Sequence, residues 1–434
     1  MQADLLKKYE DQIWELAGLM PGTEGLRMRA LKAAHKYGMP NKRNEKWHYS
    51  DLRAYRDTVF QQAPAAKNTP PLPDALTTET SARLVFINGR FSEDMSDMGD
   101  LWQAAQVRPL ANHLMSNMDR VDELVRGQDA ITCLNTALMR DGMVLSVPAG
   151  VEIDDPVEIL HIASSSDTAG CHIRHVIELG EGASLTLIER YIGDDSSYWT
   201  NSVLQARISE GAHFKHIRLQ EEGSNALHTA KVFANVGAEA NYTATNINLG
   251  GALSRIEVNA RLLIDSASAT VNGVALAASG QSHDTYTQLE HLMPGTTSDQ
   301  LFRTVADKHG KTSFQGKVTV AKDAQKTVAD QSFKALIFDK TAEANAKPEL
   351  EILADDVKCS HGATVGQLDE KAIFYLTSRG IDPATARQML VEAFTADALK
   401  AIQQDDVKEA LLARINTWMA ARSGKAGVEA GVEE

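Results

Sequence analysis

Cys359 and His361 are the two residues of this chain whose types and spacing point most directly to metal chemistry. A thiolate sulfur and an imidazole nitrogen are both ligands for iron, zinc or copper. They stand two residues apart, shortly after Leu350-Glu-Ile-Leu-Ala354, whose apolar and β-branched character predicts extended chain. Side chains at i and i+2 of a strand share a face, so both could turn toward one metal. Two ligands neither complete a tetrahedral site nor hold a cluster that takes four. Cys133 and Cys171 are remote in sequence and form no Cys-x-x-Cys pair. A cluster here must borrow ligands from a partner chain or be bound transiently.

Other candidate chemistry is weaker. His172-x-x-His175 and His213-x-x-His216 have a spacing that converges on a helix, yet both pairs fall in predicted strands, where i and i+3 point to opposite faces. The expectation is exposed or singly hydrogen-bonded histidines. Adjacent acids at Asp154-Asp155, Asp194-Asp195 and Asp355-Asp356 could serve glycoside hydrolysis, but in turns of an acidic protein such pairs are solvated or capping groups. Gly310-Lys-Thr312 imitates the end of a phosphate-binding loop, with Val305 where its first glycine belongs. Gly180-Glu-Gly182 lacks the third glycine of a dinucleotide fingerprint and leads into a strand.

The elements that must position Cys359 and His361 follow from periodicity. Residues 1–80 read as short helices, broken at Pro21-Gly22 and Gly38-Met-Pro40, followed by a proline-rich linker from Ala63 to Leu76. Residues 81–141 mix a hairpin, turning at Asn88-Gly89, with a helical stretch from Leu101 to Met139. Residues 142–366 carry short β-type runs introduced by turns, with glycines recurring at 182, 211 and 237. A repeat of this size, rich in strands and poor in helical period, predicts a mainly β fold and favours a solenoid of stacked coils, whose ends the flanking helices would cap, over an up-and-down sandwich. Residues 367–422 return to helix. Asp382-Pro383 is a strong start signal there, and Met389, Phe394 and Leu399 lie on a broad apolar face, more than a short helix needs for its own burial. That face is expected to bind a partner. Residues 423–434 read as a disordered acidic tail.

Composition narrows the function classes. The 434 residues include 43% hydrophobic ones, enough for a large core, and a net charge of −14 argues against nucleic acid as a partner. Three cysteines do not make a disulfide framework and suit a reducing compartment. The amphipathic N-terminus reads as neither signal peptide nor membrane span, so a cytoplasmic location is expected.

The run Lys358-Cys-Ser-His-Gly-Ala-Thr-Val-Gly366, extended back to Pro348 and forward through Ile373-Phe-Tyr-Leu-Thr-Ser-Arg-Gly-Ile381, closely resembles the SufD scaffolds of the SUF iron–sulfur cluster assembly machinery. Glu45-Lys-Trp-His-Tyr49 supports the same resemblance, and Gly362 stands where the related SufB scaffolds typically carry glutamate. The resemblance implies a right-handed β-helix core and a non-catalytic scaffold. It further implies pairing with SufB through the β-helix, recruitment of a SufC ATPase by the C-terminal helices, and a homodimer as one state of the isolated chain. His361 would then be the leading ligand for iron or a nascent cluster shared with the partner, and Cys359 the second. The competing reading from another class is a β-helix carbohydrate-active enzyme.

Overall fold

A computed structural model of the chain describes residues 8–50, 55, 57–66, 70–116, 129–164 and 168–423. The acidic tail read from the sequence lies, from residue 424 onward, outside them. The centre of the chain is a β-solenoid of about eight coils. Each coil gives one strand to each of two ten-stranded sheets. One sheet runs from Asp141–Val147 through Ala169–Leu179, Trp199–Ile208, Leu227–Val236, Leu253–Leu262, Ser282–His291 and Lys311–Val320 to Glu343–Ile352. The facing sheet runs from Ala82–Ile87 and Val157–Ala163 through Ser184–Gly193, His213–Glu221, Asn241–Asn248, Ser268–Ala277, Thr297–Ala306 and Val328–Ile337 to Lys358–Gly366.

Neighbouring solenoid strands are parallel and one coil apart, so each position stacks on its counterpart above and below. At the corner before each strand of the facing sheet, one residue takes a left-handed conformation: Gly182, Gly211, Glu239, Ser266 and Gly295 in successive coils. The third corner thus turns at Glu239, not at Gly237 as the glycine spacing suggests. In four of these corners the next residue is a fully buried alanine, Ala183, Ala212, Ala240 or Ala267, small enough for the inside of the bend.

The expected hairpin is present. Ala82–Ile87 pairs antiparallel with Arg90–Phe91 across left-handed Asn88 and Gly89. The helical reading of Leu101 to Met139 is only partly right, because Gln106–Pro109 is a strand antiparallel to Asp141–Val147. Helices Leu101–Ala104, Leu110–Ser116 and Ala130–Leu138 surround it, and residues 117–128 lie outside the described residues.

The flanking helices cover faces of the solenoid more than its ends. Glu10–Leu19, Glu24–Tyr37 and Ala130–Leu138 share one apolar cluster with Trp199, Leu227 and Leu253 of the first sheet. Val391, Leu399, Leu411, Ile415 and Trp418 share another with Ile188, Ile217, Ile247 and Val274 of the facing sheet. The two clusters anchor the helices laterally, and among the described residues no helix covers the last strand, Lys358–Gly366, which is largely exposed.

Candidate functional site

The missing cap creates the site. Lys358–Gly366 is the final strand, and Cys359, His361, Ala363 and Val365 stand beside Ala329, Gln331, Phe333 and Ala335 of the coil below. Those four neighbours are buried on the inner face of the solenoid, three of them in its main apolar cluster. The matching residues of the last strand continue the same inner row. With no further coil above them, Cys359 is half-buried and His361, Ala363 and Val365 are exposed. Burial pushes the Cys359 thiol up, against a backbone hydrogen bond with Ala329, and Asp330 adds to the rise. The opposite wall is Glu343–Ile352, whose Ala344, Ala346 and Leu350 pack on the same core from its rim.

The floor beneath is aromatic and amide. Phe302, Phe314 and Phe333 stack across the interior, with ring centroids 4.5 and 5.5 Å apart. Gln331, directly below His361, is buried, and neither its Nε2 nor its Oε1 has a hydrogen-bond partner. Gly316 makes room for it, since a Cβ there would stand 2.9 Å from Gln331 Nε2 and 2.6 Å from Phe314 Cζ. Cys133 and Cys171 are buried in the Ala130–Leu138 helix and the Ala169–Leu179 strand. Among the described residues no third His, Cys, Asp or Glu joins Cys359 and His361 within ligating distance.

A second polar cluster, missed in the sequence, lies inside the early coils. His161, His175 and Glu189 place ligand atoms within 4.8 Å of one another, fully inside the solenoid. The donor set does not suit a metal. The Met143 backbone N–H donates to His175 Nδ1 at 3.1 Å, so the neutral ring carries its proton on Nε2, the atom that faces His161 Nε2 at 3.2 Å. Both Glu189 oxygens are already engaged: Oε1 accepts from Tyr191, and Oε2 accepts from His216 at 2.6 Å and from Arg218 at 2.6 and 3.1 Å. Burial alone would raise the Glu189 pKa, but the Arg218 charge and the His216 bond hold it well below the usual carboxylate range. The cluster is a structural ion pair in hydrogen-bonded surroundings.

The histidine pairs do split between faces. His213 is exposed and His172 packs edge-on to Trp199, while His175 and His216 point inward. The expectation of exposed or singly bonded rings is therefore wrong for His175 and His216, which are buried members of the Glu189 network. Strand alternation carried the missing signal, because Leu185, Leu187, Glu189 and Tyr191 are one inward row. The paired acids follow the turn-capping expectation where their contacts are seen. Asp194 accepts from the Ser196 N–H and Asp195 from the Ser224 N–H, and all six acids lie on the surface.

On the C-terminal helices the structure separates the three partner-face residues. Met389 is 46% exposed, but Leu399 is fully buried and Phe394 packs into the helix–sheet cluster under the Arg303 guanidinium. Leu399 and Phe394 hold the helices to the solenoid, because Arg303, ion-paired to Asp397 at 2.5 Å, draws that turn of chain onto the sheet. The exposed apolar surface is supplied instead by Phe374 and Tyr375, 73% and 57% exposed on the Glu370–Ser378 helix, together with Met389.

Glu45-Lys-Trp-His-Tyr49 also has a defined place. Trp47 is buried under the Arg255 guanidinium, 3.9 Å from its ring centroid, and Arg255 donates to the Lys46 carbonyl at 2.7 Å. Glu45 reaches Lys347 of the last coil at 2.5 Å. The segment straps the N-terminal helices along the first sheet.

The fold is a β-solenoid with ligand-type side chains at one end, and comparison with known proteins identifies its family. Residues 161–394 match the family model of the SUF system FeS cluster assembly SufBD core domain, and residues 3–159 match the SufBD protein N-terminal region. The iron-sulfur cluster assembly protein SufD of Escherichia coli is 31% identical over 89% of this chain and 90% of its own length. A SufBD family protein of Synechocystis is 31% identical over 84% of both chains. The chloroplastic protein ABCI7 of Arabidopsis thaliana is 27% identical over 85% of this chain and 80% of its own. The chain belongs to the SufBD family of iron–sulfur cluster assembly proteins. Within that family it is of the SufD type.

Proposed function

We propose that the chain is a non-catalytic scaffold of the SUF complex, on which a nascent iron–sulfur cluster is held between its open solenoid end and a SufB partner. The observation that carries this reading is the uncapped last coil. An exposed strand edge and an exposed inner row are a template for another chain, and Ile352, Leu353 and Val365 add exposed apolar surface beside it. His361 and Cys359 would supply two ligands to the cargo and the partner the others, since none of the other described residues offers a third there. A neutral imidazole and a thiolate both suit iron. A second copy of the chain docked by the same edge accounts for a homodimer when SufB is absent.

Recruitment of a SufC ATPase is assigned to the surface formed by Phe374, Tyr375 and Met389. Nucleotide hydrolysis belongs to that partner, and the scaffold pair converts it into exposure of the shared end. No helix among the described residues is long and apolar enough to cross a membrane, which accords with a cytoplasmic site of action. Anaerobic co-purification of the tagged chain tests the reading. A second scaffold, an ATPase and iron should accompany the wild type, and Val365→Asp on the open end should lose the scaffold while retaining the ATPase.

A further inference from the structure

We propose that Gln331 is the positioning residue for His361, its side-chain carbonyl accepting the Nδ1 proton so that Nε2 is presented to iron; this rests on His361 being a ligand. The argument starts from an energetic anomaly. A buried amide that makes no hydrogen bond costs about 1–3 kcal/mol, and the interior of a solenoid offers many apolar residues that would avoid the cost. Gln331 nevertheless lies 97% buried by its 3% exposure, with both polar atoms unpartnered. The coil above explains where its partner stands. Gln331 and His361 are register neighbours on adjacent parallel strands and share the inner face, a separation of about 4.8 Å between backbones that a glutamine side chain spans.

The amide stands between His361 above and Gln300 below and in the structure bonds to neither. Gln300, one coil below, has its Oε1 engaged by the Thr287 hydroxyl at 2.5 Å, while its Nε2 is buried and unpartnered. Phe314 and Phe333 offer no acceptor, and Gly316 opens the space in which the amide turns. A ligating histidine is commonly oriented by a second group on its other nitrogen. Here that group is built into the row beneath.

The tautomer of His361 is the direct readout, and it needs no cluster. In the full chain labelled with 15N-histidine, and with the His361 signal assigned from His361→Ala, the neutral ring should carry its proton on Nδ1. Gln331→Met, which keeps length and removes both polar atoms, should return the ring to the Nε2–H form usual for free histidine in water. Its melting temperature should equal or exceed that of the wild type, and Fe2+ retention by the assembled complex should drop about 10- to 100-fold. Gln331→Leu gives the same comparison if the methionine variant folds poorly. A wild-type ring already protonated on Nε2, or a tautomer unchanged by the substitution, overturns the proposal. If the tautomer shifts as expected while His361→Ala still supports cluster assembly, positioning stands and the assignment of His361 as ligand falls.

Discussion

The two ends of the solenoid handle polar groups in opposite ways. In the early coils Glu189 sits inside the fold with Arg218, His216 and Tyr191 bonded to it, and Tyr191 is bonded in turn to Ser202. At the other end Gln331, one coil below the last strand, is unpartnered, and Cys359 and His361 continue the inner row with nothing stacked above them. A closed end uses polarity to hold the fold. An open end keeps polarity unspent for another molecule, and substitutions should lose their structural effect and gain a functional one in passing from the first to the second.

The largest structural effect is expected at Arg218. Arg218→Met leaves the Glu189 charge buried without its counter-ion and should cost about 3–5 kcal/mol in chemical denaturation. Replacing Glu189 by Gln in the same chain should recover much of it. Recovery absent from the double variant would show that Arg218 acts through packing instead.

Acid should weaken the solenoid interior more widely. Burial holds His172 at about 3 and His175, His283 and His291 at about 4, each below the ordinary value of 6.5. Between about pH 6.5 and 4 the unfolded chain therefore binds more protons than the folded one, so stability falls as pH falls, by up to about 1.4 kcal/mol per pH unit for each such ring. Melting temperatures across that window measure it, and a flat profile would contradict the buried, neutral assignment.

The C-terminal helices fall between the two extremes. Leu399→Ala should cost about 2–4 kcal/mol, as for a buried leucine, and any loss of ATPase binding should track the loss of fold. Phe374→Asp should change stability by no more than about 0.5 kcal/mol yet weaken ATPase recruitment in a pull-down. Equal binding by a well-folded Phe374→Asp chain would move that contact elsewhere.

How much of this was legible in the sequence follows the same division. The β-solenoid showed through because turns and alternating strands repeat locally, and Asp382 does cap its helix, accepting from the Ala384 and Thr385 N–H groups. Cys359 and His361 were legible as a pair because neighbours two apart on a strand share a face. The open end was not, since the apolar period that predicts helices is silent on whether they cover a face or an end. Leu399 and Phe394 were misassigned for that reason, the period marking an apolar face without its partner. Glu189 and Gln331 escaped because their meaning depends on the residue one coil away, which only register reveals.

The central claim is that the open end is functional and not structural, and His361→Ala tests it most directly. The variant should melt within the range of the wild type, because an exposed ring contributes little to stability, and should still assemble with its partners. The account predicts that this intact complex no longer builds or delivers iron–sulfur clusters. Normal cluster delivery by a folded, fully assembled His361→Ala complex would contradict it.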